Sequence, residues 1–286
     1  ANAGGLLTPL GDPPLFLLYL RGAPFTWFLK LAPEAFIIDI VLLATYYIMD
    51  RINYAKESVK DIARDVTEVK PLRLEGTVNF IWLLGIVASV AFINEQYIEV
   101  IKTGSPYWKF LCEGAIVLMM ILSLITTKRK VREANRFTWD PILEVAFLFI
   151  GIFITMTPAL IFLQEHASSM GLHSPLHFFF ATGALSGFLD NAPTALAFHS
   201  VASGLPEAAG VSYVAGIPEI LLKAISMGAV LFGSMTYIGN GPNFMVKAIA
   251  EAEGIKMPSF FAYMYKFSLI ILLPLFAIIG ILFLWS

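Results

Sequence analysis

Apolar runs of roughly 17 to 25 residues, the length that crosses about 30 Å of hydrocarbon, alternate along this chain with short polar stretches. Five of them predict spanning helices, at about 33–50, 77–98, 107–126, 141–163 and 259–285. Two further apolar stretches are interrupted. The one from Pro175 to Gly204 breaks at Asp190, Asn191 and Pro193, which leaves two arms too short to span singly and reads as a re-entrant hairpin. The other, at about 217–253, breaks around GSMTYIGNGPNF, Gly233 to Phe244. The same succession of Gly, Thr, Gly, Pro and Phe stands 228 positions earlier in GLLTPLGDPPLF, Gly5 to Phe16. Each copy leads to a proline followed by aromatics (Pro24, Phe25 and Trp27; Pro258, Phe260 and Phe261) and then a long apolar run. Helix breakers inside an apolar segment mark backbone polar groups that face a site rather than lipid.

The polar stretches set the orientation. Arg51, Lys56, Lys60, Arg64, Lys70 and Arg73 crowd one loop, and Lys128, Arg129, Lys130, Arg132 and Arg136 another, so both are expected in the cytoplasm. The loop near 101–106 has only Lys102, and 164–174 and 201–219 have no Lys or Arg, which suits the outer side. A hairpin returns the chain to the side it came from, so the second broken segment runs inward toward Lys247, Lys256 and Lys266, and the first runs outward. The two copies are then antiparallel.

The expected fold is an all-α polytopic membrane protein, an inverted-repeat secondary transporter with discontinuous helices and a re-entrant hairpin. Residues 1–50 form the end of the first repeat and 51–76 a basic cytoplasmic linker. Residues 77–286 form the second repeat, with three spans, the hairpin at about 175–204, the broken helix and a final span. Pairing of the repeats calls for an equivalent hairpin ahead of Gly5, about 150 residues in all, so the chain reads as a C-terminal fragment.

Composition excludes the alternatives. Charged residues make up 14% and hydrophobic ones 58%, with a mean hydropathy of +0.76, whereas a globular domain carries about 25% charge. A net charge of −2 provides no field for nucleic acid, and the single Cys112 cannot form an internal disulfide. The GNGPN string follows no strand, and no GK[ST] phosphate loop occurs, so direct ATP coupling has no support.

The strings NAGGLLTPLGDPPLF, GFLDNAPTALAF and GSMTYIGNGPNFMVKAIAE resemble the ion transporter (arsenite permease/NhaD) superfamily, most closely its NhaD-type sodium/proton antiporters and its citrate transporters. The resemblance covers nearly the whole chain. It implies two inverted repeats, each with a re-entrant hairpin and a discontinuous helix, assembled as a homodimer in the lipid bilayer.

The residues themselves suggest the chemistry. Ser234, Thr236, Gly239, Asn240 and Asn243 offer the hard oxygen ligands that a small cation prefers, and Asp190, Asn191 and Thr194 at the hairpin tip add a carboxylate, an amide and a hydroxyl. Thr8, Gly11 and Asp12 occupy the positions of Thr236, Gly239 and Asn240, so one half has a carboxylate where the other has a neutral amide. Asp190, Asn191, Thr236 and Asn240 are the candidate Na⁺ ligands. A carboxylate beside Gly and Pro is also an ordinary helix cap. Burying a charge at mid-membrane costs about 2.5–3.5 kcal/mol on insertion scales, which favours a functional task. His199, nine residues beyond the tip, is a candidate proton relay or a locally bonded side chain, and Lys247 reads as a topology anchor.

The expected function is secondary active transport without a resident cofactor. Na⁺ for H⁺ exchange comes first, because Asp12 and Asp190 place negative charge at the site. Cation-coupled uptake of citrate or a similar carboxylate comes second, and an ion channel is the reading from another class. Neither a nucleophile and base pair nor a metal-ligand cluster points to an enzyme.

Overall fold

A computed structural model describes residues 2–58, 62–63, 67, 74–95, 97–135, 137–207, 209–252 and 254–285. Lys60, Arg64, Lys70 and Arg73 of the expected basic linker, and Arg136, lie outside the described residues. The chain divides into one unit of Ala1–Thr45 with Leu148–Ser286 and another of Tyr46–Phe147.

In the larger unit, a 3₁₀ turn at Ala3–Leu7 gives way to extended Thr8, and α1 (Pro13–Leu20) follows with prolines in its first turn. Such prolines start helices readily, since their missing N–H has no intrahelical acceptor there anyway. A second 3₁₀ stretch, Phe25–Leu31, leads into α2 (Ala32–Tyr54).

The smaller unit is built on α3 (Val78–Phe92) packed against α4 (Leu111–Thr126). Asn79 Oδ1 accepts from Ser123 Oγ at 2.7 Å and Thr127 Oγ1 at 2.8 Å, and Trp82 Nε1 donates to Thr126 Oγ1 at 2.8 Å. Polar pairs of this kind hold helices together where the surroundings are as apolar as the side chains.

The chain re-enters the larger unit along α5 (Asp140–Glu165). Two short helices follow, α6 (Pro175–Ser186), capped by Ser174, and α7 (Asn191–Ser203), joined by a tight turn. At 1.5 Å per residue they are about 18 and 20 Å long, well short of a bilayer. A two-residue ladder, Tyr213–Val214 with Ile217–Pro218, turns on Ala215 and Gly216 at positive φ and delivers the chain to α8 (Glu219–Phe232). The break follows, then α9 (Gly241–Ala252) and α10 (Phe260–Leu284), which carries a π-helical segment at Met264–Leu272.

The core lies where α6 crosses α8. A Cβ on Gly228 would stand 2.6 Å from Phe179 O, and one on Gly183 would enter the Phe232 ring. The missing side chains are what let the two backbones touch. The rings of Phe179, Phe232 and Phe276 fill the space beside them, with successive centroids 5.2 and 5.3 Å apart.

Among the described residues, three helical stretches are long and apolar enough to cross a membrane: Pro106–Thr126, Val145–Glu165 and Phe260–Leu284. The expected span at 77–98 is shorter, because the helix stops at Phe92 where Ile93 leaves helical geometry. α2 has the length, but Glu34, Asp39, Asp50 and Arg51 make it less apolar than the other three.

Candidate functional site at the two helix breaks

The two breaks share one local design. In each, a 3₁₀ turn ends at an extended threonine, Thr8 (φ −147°, ψ 154°) or Thr236 (φ −138°, ψ 168°). The chain then folds back until a second glycine meets the first. A Cβ on Gly11 would collide with the Gly5 carbonyl, and one on Gly239 would lie 2.7 Å from Gly233 O. Gly5 pairs with Gly233 and Gly11 with Gly239 at the 228-residue offset, so the repeated glycines have a steric cause.

Each break ends on a helix start, with Asp12 ahead of α1 and Asn240 ahead of α9, while Asn191 opens α7. These three side chains meet. Asp12 Oδ2 accepts from Asn191 Nδ2 at 2.9 Å, and Asp12 Oδ1 accepts from Asn240 Nδ2 at 3.0 Å. All are buried, Asp12 to 5% exposure, Asn191 to 1% and Asn240 to 3%. Two amides donating to one ionised carboxylate are charge-assisted bonds, the kind a buried carboxylate needs to offset its lost hydration. The arrangement also gathers the N-terminal ends of three helices, where aligned peptide dipoles place partial positive charge.

Residues 1–284 match the family described as "Putative citrate transport". The chain belongs to this family. It is also 26% identical over 269 residues to the "46 kDa membrane protein" of Mycobacterium leprae (strain TN), an alignment covering 89% of this chain and 58% of that protein. The chain thus spans little more than half the length of that relative. No solved structure matches. Together with the spanning helices, the match makes this a membrane-embedded protein of a transporter family.

The other polar residues of the second break turn inward and close it. Asn243 Nδ2 donates to Gly233 O at 2.7 Å and Thr236 O at 3.0 Å, Tyr263 OH to Ser234 O at 3.0 Å, and Ser268 Oγ to Met235 O at 2.6 Å. Four consecutive unwound carbonyls therefore have donors, as backbone away from water requires. Ser234 Oγ is engaged with Leu231 O at 2.5 Å, and Thr236 Oγ1 donates to Gly187 O at the hairpin tip at 2.6 Å. These side chains were expected to face an ion; their immediate partners are backbone.

Asp190 is half-buried and caps α7, its Oδ1 accepting from Ala192 N at 3.3 Å, while Thr194 Oγ1 donates to Asp190 O at 2.9 Å. His199 Nε2 lies 2.9 Å from Ala215 O. A carbonyl only accepts, so that nitrogen carries the proton, and the ring fastens the positive-φ turn. Lys247 pairs with Glu251 at 2.7 Å and lies over the Tyr237 ring. Sequence reasoning passed over Tyr263 and Ser268. The signal available was hydroxyls inside a 25-residue run whose one charged residue is Lys266.

Proposed function

We propose that this chain is the core of a secondary active transporter that carries citrate or a similar carboxylate with a coupling cation across the cytoplasmic membrane. The observation that carries the reading is the meeting of three helix N-termini at Asp12, Asn191 and Asn240. Partial positive charge there favours an anionic group on the substrate, as half-helix ends do in other transporters. Counting side-chain charge alone pointed to Na⁺ for H⁺ exchange. The helix ends, at about +0.5 charge each, offset most of the charge of Asp12 and Asp190, and the family's description favours a carboxylate. The first-turn prolines Pro13, Pro14, Pro193 and Pro242 have no N–H, so the amides of Asn191 and Asn240 supply the directional donors.

The inverted repeat belongs to the same reading. A residue touches its own repeat equivalent where a two-fold axis passes. Asp12 bonds Asn240, and Asn2 Nδ2 points at Val230 O at 3.5 Å, both pairs 228 apart. The hairpin of α6 and α7 then serves one half: α1 buries Leu17 against Ala192 and Leu196 of α7. The equivalents of Leu17 and Leu18, Met245 and Val246 on α9, are 54% and 57% exposed, and Gly11 is open where Gly239 is buried. An equivalent hairpin would cover α9 and the first break, and complete a re-entrant pair. On this reading the chain is multi-pass, has 51–76 and 127–140 on the cytoplasmic side, works as a homodimer and catalyses no covalent chemistry.

The test is uptake by proteoliposomes made with the full-length protein. Labelled citrate should accumulate when a Na⁺ or proton gradient is imposed. A protein that dissipates a proton gradient on adding Na⁺, yet takes up no citrate, returns the assignment to ion exchange.

A further inference from the structure

Apart from the Asp12 cluster, the larger unit holds a cavity of about 370 Å³ between the 3₁₀ stretch Phe25–Leu31 and the start of α8. Trp27, Lys30, Ser212, Glu219 and Lys223 line it. Lys30 Nζ lies 2.5 Å from Glu219 Oε1, and the same oxygen accepts from Trp27 Nε1 at 2.8 Å. Lys223 pairs with Glu34 Oε1 and sits 5.2 Å over the Phe283 ring. Glu34 is 1% exposed and does not line the cavity, and its Oε2 is buried with no partner among the described residues. Lys223 is therefore held from behind, through one carboxylate oxygen, by a group the cavity does not meet. From inside, the wall presents two ammonium groups against one carboxylate, and the oxygen of Glu219 nearest them is already taken twice.

We propose that this cavity is a second binding site, for a di- or tricarboxylate anion, at the outer mouth of the transporter. Each ammonium has three N–H donors and spends few of them on its glutamate, so both retain donors for a ligand. The glutamates fix the two lysines in place before the ligand arrives, which spares the cost of ordering them. The volume is at the small end of ligand pockets, which suits a compact polyanion. The assignment of the ligand rests on the proposed carboxylate transport; the site itself rests on the cavity and its two ion pairs.

Trp27 provides a direct readout. In full-length protein in which Trp82, Trp108, Trp139, Trp285 and any tryptophan outside residues 1–286 are replaced by Phe, citrate should change Trp27 emission saturably. Lys30→Gln, at an exposed position, should weaken the response tenfold or more. Lys223→Gln alone strands a buried carboxylate, so the informative variant is Lys223→Gln with Glu34→Gln, which keeps an uncharged pair of similar shape and should also lose at least tenfold. Asp12→Ala should abolish uptake and keep the Trp27 response, because the two sites are separate. An equal response to phosphate at the same concentration overturns the carboxylate assignment. Citrate uptake with no Trp27 response overturns this site alone, whereas a Trp27 response without uptake overturns the transport reading and leaves the site standing.

Discussion

Exchanging Asp12 and Asn240 probes the point where the two broken segments meet. Asp12 holds two charge-assisted hydrogen bonds, each worth about 1.5–3 kcal/mol. Asp12→Asn discharges both and sets amide donor against amide donor unless one side chain rotates. The expected cost is about 1.5–3 kcal/mol, since relief from burying a charge cancels part of the loss. At about 2–4 °C per kcal/mol, Tm should fall by about 3–12 °C. Asn240→Asp places a second carboxylate within contact of the first in a buried site and should cost more, about 3–5 kcal/mol. The double variant regains one carboxylate paired with one amide across the same contact, so its loss should match that of Asp12→Asn alone. The double-mutant cycle then gives a favourable coupling equal to the cost of Asn240→Asp, about 3–5 kcal/mol, measurable by thermal unfolding of the purified variants. Citrate uptake should separate charge from position: the exchange should bring Tm back to that of Asp12→Asn but should not restore uptake, because Asn191 bonds the residue at position 12. Additive losses within about 0.5 kcal/mol would mean that Asp12 and Asn240 do not touch, and the reading of the centre would fall with them.

The remaining predictions address packing, the break and the cap. Gly228→Val should cost at least the 1–3 kcal/mol typical of overpacking, because the new side chain meets Phe179 O, whereas Gly241→Ala, with nothing within 4 Å, should stay within about 0.5 kcal/mol; equal unfolding temperatures would refute the α6 and α8 contact. Gly239→Ala should abolish uptake at near-normal membrane insertion, since its Cβ meets carbonyls of both Gly233 and Ser186 at 2.7 Å, and retained uptake would show that the break is not held as described. Asp190→Asn keeps a capping side chain and should leave Tm within about 1 °C while uptake loses its Na⁺ dependence; an unchanged Na⁺ dependence reduces Asp190 to a cap.

The breaks were legible because their signal is local. Gly5 with Gly11, and Gly233 with Gly239, are glycines for a steric reason that acts within seven residues, so the pattern survives in both copies as plain identity. The tasks of Ser234, Thr236 and Asn243 were not legible, because a hydroxyl or amide looks the same whether it faces an ion or closes a backbone gap. Thr236 donates to Gly187 O, 49 positions away, a contact that no local pattern shows. The Lys30 and Glu219 pair joins residues 189 apart, and Trp27 meets Glu219 across 192, distances at which no periodicity carries information. Helix ends failed in a different way. The expected span runs to 98, but the polar Asn94, Glu95 and Gln96 follow Ile93, and the helix ends at Phe92.

The asymmetry at the centre bears on how such a transporter works. In the proposed inverted repeat, inward-facing and outward-facing states arise when the two halves exchange conformations around one site. If both halves were identical there, the two states would bind substrate and cation alike, and nothing local would favour a direction. Asp12 and Asn240 occupy equivalent positions and touch one another, but only one is a carboxylate. Whichever half closes over the site, the charge moves with α1 and the neutral amide with α9, so the two states present different fields to a bound carboxylate. A ligand shifts a two-state equilibrium only by its differential affinity for the states. On the proposed transport reading, the single carboxylate is the feature that would let citrate or its coupling cation bias the cycle, and it lies on the contact that the Asp12 and Asn240 exchange would invert.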